Sequence, residues 1–164
     1  MTSNWLFTGL HREHIVAPMS AHGRSPTRSA VAAADPGIVA VGVAAFGAVE
    51  LALAVWMVVA PRSFFTSIGP FADYNRHYIR DVATFQAALA FGLLIAAREP
   101  SWRVPALAIT LVQFALHSVN HLVDINASHP AWAGYFDFFA LAAATVQLAW
   151  LLAAARAQER KGER

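Results

Sequence analysis

The sequence predicts an all-α membrane protein: an antiparallel four-helix transmembrane bundle with both termini in the cytoplasm. Three observations predict it. Of 164 residues, 57% are hydrophobic and only 13% charged, about half the charge of an ordinary soluble domain. Four apolar runs are each close to the ~20 residues that cross a bilayer core. The basic residues cluster between those runs instead of forming one face. A net charge of +2 in this pattern reads as loop bias of a membrane protein, so nucleic acid is not an expected partner. With no cysteine, disulfides, thiolate catalysis, Cys-held zinc, iron–sulfur clusters and c-type haem are excluded.

Residues 1–36 carry Arg12, Arg24 and Arg28 without a sustained apolar run. They lack the h-region of a signal peptide and read as a flexible polar tail. His11, His14 and His22 are metal-ligating types there, and Met19 offers an alternative start. The transmembrane domain is expected over 37–157, followed by a charged tail at 158–164.

The first span, 38–60, is interrupted by Glu50 and stopped by Pro61. Small residues at Gly42, Ala45, Gly47 and Ala48 permit close helix approach. The second span, 78–97, is too short from Val82 onward to cross about 30 Å of hydrocarbon, so it draws Arg80 and Asp81 into the interface. These two read as a local charge pair. The third span covers 106–125 and the fourth 136–155.

Counting Lys and Arg sets the orientation. Arg12, Arg24, Arg28, Arg98, Arg103, Arg156, Arg160, Lys161 and Arg164 fall on one side; Arg62, Arg76 and Arg80 fall on the other. The richer side is cytoplasmic. The expected location is therefore the inner membrane. Phe64, Phe65, Phe71, Tyr74 and Tyr78, with Trp132, Tyr135 and Phe136, should form an outer aromatic belt.

The chemistry gathers around "FALHSVNHLVD". Gln113, His117, Asn120, His121 and Asp124 share one helix stripe, because positions three and four apart lie on one face. His77 and Asp81, also four apart, open the second span at a similar height, and Asp137 opens the fourth. Deeper, Glu50, Gln86, His117 and Gln147 bring one polar group from each span to the bilayer middle. Ionisable groups there need partners and mark function by default. The glutamines, including Gln113, also suit plain interhelical hydrogen bonding.

Several chemistries fit. His117, His121, His77 and Asp81 would make a three-His, one-carboxylate metal set. Haem b would use one His from each of two helices. A relay through Glu50, His117, His121 and Asp81 would serve proton or ion passage. A membrane-embedded metal-dependent enzyme is the catalytic alternative, although Ser118 lies about 100° around the helix from His117 and is a poor nucleophile partner. The leading expectation is a binding or accessory subunit holding a metal, haem, quinone or lipid head group near the outer face. Its partners would be the lipid bilayer and other membrane subunits or further copies. "NAS" at 126–128 matches a glycosylation acceptor in form.

With "APRSFF" ahead of "YNRHYIRDVATFQAALA" and "HSVNHLVD" after it, the chain resembles small four-helix membrane proteins common in actinobacteria. It is more distantly similar to DoxX-like four-helix proteins. Asn75, His77, Arg80, Asp81, His117 and His121 carry the likeness, over roughly 38–155. Ala83 stands where that pattern often has Gly, and Glu50 and the long N-terminal tail are not part of it. The resemblance implies a four-helix bundle and no particular activity.

Overall fold

The structure, a computed structural model, describes residues 36–162. His11, His14, His22 and the rest of the expected tail lie outside them. Among the described residues there are five α-helices. α1 is Pro36–Val59, α2 Pro61–Ile68, α3 Arg76–Arg98, α4 Arg103–Val123 and α5 Ala131–Gly162, with a short 3-10 turn at Pro100–Trp102. The four long ones are each long and apolar enough to cross a membrane.

Their outward faces are hydrophobic. Val41, Phe85, Phe91, Leu116 and Val146 are among the most exposed large side chains, at 67–70%. A water-soluble surface rarely carries so continuous an apolar cover, so the faces that stay uncovered suit lipid.

The helices pair. α1 packs chiefly on α3 and α4 on α5, and the two pairs meet along a less extensive seam. Gly42 and Gly47 explain the tight fit of α1. A Cβ at Gly42 would stand 2.8 Å from Leu151 Cδ2, and one at Gly47 3.0 Å from Leu94 Cγ. At one end of the bundle Val39, Val43, Leu93, Leu107, Leu148 and Leu151 close into a buried core. Helix starts and ends alternate within that core, as antiparallel neighbours require.

The opposite end is built differently. α2 falls where the sequence suggested only an interfacial loop. Pro61 supplies the first-turn geometry, where its missing N–H costs nothing. Phe64 and Phe65 pack with Tyr74 against Met57, Ile79 and Ala83. They are therefore partly buried, which the expected belt did not foresee. Asn75 caps α3 by accepting from the Tyr78 N–H at 3.1 Å. Arg80 does not pair with Asp81. Its guanidinium donates twice to the Val58 carbonyl, at 3.2 and 3.3 Å, tying α3 to the open end of α1.

The α2–α3 and α4–α5 connections meet at the same end, through an antiparallel bridge of Phe71 with Ser128 and a bond from His129 N–H to the Pro70 carbonyl. Ser128 is fully buried, and its hydroxyl accepts from the Gly134 N–H at 2.7 Å. A Cβ at Gly134 would collide with the Ile125 carbonyl, so only glycine fits. Tyr135 donates to Asn126 at 3.0 Å. Both polar residues of "NAS" are thus held in this cap, an unsuitable place for a glycan.

The first three long helices shift their ends by three residues or fewer from expectation, whereas α5 extends the expected 136–155 by five residues at its start and seven at its end, through most of the expected charged tail. α4 starts at Arg103 because Pro105 is tolerated in a first turn. α5 starts at Ala131, directly after Pro130, and runs to Gly162.

Candidate functional site

Between the packed core and the cap lies a cavity of about 820 Å³, lined by residues of all five helices. That size is within the range of small-molecule sites. Glu50 of α1, Gln86 of α3, His117 of α4 and Gln147 of α5 all line it. Asn120, His121 and Asp124 join from α4, and Asp137 from α5.

Glu50 and Asp137 are the most informative. Each is buried, at 1% and 8% exposure, and each keeps one carboxylate oxygen without a hydrogen-bond partner: Glu50 Oε2 and Asp137 Oδ2. Buried polar atoms are satisfied in most folded proteins, and the exceptions require a reason. Both residues border the same cavity, with these two oxygens tucked behind its surface.

The histidines form a short chain. Gln113 Nε2 lies 3.4 Å from His117 Nδ1, and the Nε2 atoms of His117 and His121 lie 3.0 Å apart. If the Gln113 amide donates, His117 carries its N–H on Nε2 and donates it as a hydrogen bond to His121 Nε2, which leaves the His121 N–H on Nδ1. That nitrogen is buried without a partner. The Phe71 ring stands edge-on to His121 at 4.9 Å, so the loop between α2 and α3 fixes the imidazole's position. Gln113 itself does not border the cavity.

His77 and Asp81 are placed elsewhere. Their side chains are 88% and 57% exposed, and they pair with each other at 3.4 Å. Neither lines the cavity. The four-residue set of His77, Asp81, His117 and His121 is therefore not assembled: an i,i+4 pair near the start of α3 faces away from the α4 stripe. Among the described residues no three His, Asp or Glu side chains are grouped to hold a metal ion. A haem spanning His77 and an α4 histidine likewise finds its two ligands on different surfaces. Ser118 is engaged in the α4–α5 seam, donating to the Phe114 carbonyl at 2.8 Å and lying 3.1 Å from Thr145 Oγ1.

Two features escaped the sequence reading. Asp137 was read as the opening residue of a span and not as part of a cavity wall. The aromatic content of the cavity was also missed: Phe46, Phe64, Phe65, Phe71, Tyr78, Phe114 and Phe136 line it. The signal for Asp137 was present, a lone carboxylate in "GYFDFFALAAA", which has the same apolar setting as Glu50.

No family model, curated protein or solved structure matches this chain.

Proposed function

We propose that this protein is a multi-pass inner-membrane binding protein, with both termini cytoplasmic, that holds a small amphiphilic molecule inside its helical bundle. One observation carries the reading: a cavity inside the bundle bordered by two buried carboxylates, each keeping an oxygen without a hydrogen-bond partner. A bundle needing only stability would fill that volume with side chains, since voids and orphaned polar groups both destabilise. The cavity has polar groups at depth and aromatic walls, the pattern of a site for a ligand with a polar head and an apolar body. The His117–His121 pair is an orienting element of that site. The protein acts as a binding or accessory component, alone or beside other membrane subunits.

The experiment is native mass spectrometry of protein extracted gently from its own membrane. Ala140 lines the cavity, and Ala140→Phe would fill part of it. The wild type should carry a small molecule that the Ala140→Phe variant lacks. Identical spectra for the two would refute the reading. Orientation is tested on a chain free of cysteine. A cysteine at the exposed Ala127 should react with an impermeant maleimide from the extracytoplasmic side only.

A further inference from the structure

We infer that the ligand of this cavity is a lipophilic organic monocation: an onium centre on an apolar or aromatic body. The inference rests on the binding reading above and narrows it to a chemical class.

Charge is the first argument. Four carboxylates line the cavity, Glu50, Asp73, Asp124 and Asp137, and no Lys or Arg does among the described residues. Two of the three arginines at this end are occupied elsewhere, Arg80 on the Val58 carbonyl and Arg62 over the Tyr74 ring at 4.4 Å, and the third, Arg76, does not line the cavity. None of the four carboxylates forms an ion pair with Lys or Arg among the described residues. Glu50 and Asp137 are the buried pair of the four; ionising them there without a counter-charge is costly, and a cation seated beside them offsets that cost.

The walls are the second argument. Seven aromatic side chains line the same space. The face of an aromatic ring attracts a cation, and cages of such rings recognise quaternary ammonium groups. An onium ion needs no converging ligands, only a negative field and ring faces. A metal ion needs three or more donors on one point, which the described residues do not provide.

The third argument sets aside the zwitterionic lipids. A phosphocholine head brings a phosphate that Lys or Arg holds best, and among the described residues neither lines the cavity, whose His117 and His121 are already engaged with each other. The cavity therefore fits a molecule whose only charge is positive.

The test uses purified full-length protein in uncharged maltoside micelles, with binding read by equilibrium dialysis. The probes are tetraphenylphosphonium, tetraphenylborate, triphenylphosphine oxide and dodecylphosphocholine, covering cation, anion, neutral acceptor and zwitterion. His77→Ala, which alters an exposed side chain outside the cavity, controls for partition into micelles. Wild type and His77→Ala should bind the phosphonium saturably and about tenfold or more tighter than the other three. Glu50→Gln, which keeps shape and removes charge, should lose about tenfold of that affinity. Asp137→Asn should weaken it as well, and it carries the decision if Glu50→Gln fails to fold.

Equal binding of the neutral oxide or the borate would overturn the cationic class while leaving a working cavity. Equal binding of dodecylphosphocholine would make the ligand a lipid head group and overturn the monocation. Full phosphonium affinity in both carboxamide variants would also overturn it. If no probe binds the folded wild type, the inference falls, and the mass-spectrometric comparison with Ala140→Phe separately decides whether the cavity holds any ligand.

Discussion

The two ends of this bundle are made from equally greasy helices and end up with opposite interiors. At the end holding the starts of α1 and α4, Val39, Leu93, Leu107 and Leu148 interdigitate with essentially no exposure. At the other end the same four helices part around a cavity with Glu50, Gln86, His117, Asp137 and Gln147 on its walls. The lipid-facing surface does not distinguish them. In a membrane the hydrophobic effect between helices is absent, so association relies on packing and internal polar contacts. The packed end gains dispersion contacts, and the open end gives them up. Hydropathy selects the membrane, while interior residues decide which half of a bundle packs solid and which half opens into a cavity.

The sharpest way to break this contrast is to damage the packed end. Leu148→Ala removes a fully buried side chain and should cost about 2 to 3 kcal/mol, because the rigid neighbours leave a cavity. Steric-trap or denaturant unfolding in bicelles would measure it. A loss below about 0.5 kcal/mol would mean that this end is not where stability resides.

The cap over the open end comes next. Gly134→Ala should cost about 1 to 3 kcal/mol through the clash with the Ile125 carbonyl and the strained Ser128 contact. Limited proteolysis at residues 124–130 should rise in step. Unchanged protection of that connection would show that the cap does not depend on the Ser128–Gly134 bond.

A smaller stability effect, and a larger functional one, is expected in the cavity wall. His117→Leu removes the contacts to Gln113 and His121 and substitutes a residue that suits lipid. Stability should change by less than about 1 kcal/mol, since interhelical polar contacts in membranes are individually modest. The co-purified ligand should be lost. Retention of the ligand with a drop in stability would make the histidine pair structural.

Much of this architecture could be read from residues. Glu50 and Pro61 marked the depth and end of α1, and the charge-poor runs marked all four long helices. Periodicity put His117 and His121 on one stripe, and the structure has both on the cavity wall. Height along the bundle was legible; direction around a helix was not. His77 and Asp81 start α3 at the expected level but face outward, because which side of α3 meets α1 is set by long-range packing around Gly47 and Leu94. For the same reason Phe64 and Phe65 read as an interfacial belt. Nothing local revealed that "PRSFFTSI" would coil into α2 and turn its rings onto Met57 and Ile79. Asp137 was passed over because a carboxylate near a span's start usually belongs to the interface. The earlier start of α5 places it a turn and a half inside the helix.

If the open end is kept for binding at some cost in stability, Glu50 is where that cost is concentrated. Glu50→Leu replaces a buried carboxylate bearing an unpartnered oxygen with a side chain that belongs in a membrane helix. The measurement is the melting temperature of ligand-free protein in maltoside micelles, wild type against variant. The melting temperature of the variant should equal or exceed that of wild type, because an orphaned polar group has been removed. A fall comparable to that of Leu148→Ala would contradict it, and would make Glu50 part of what holds the bundle together.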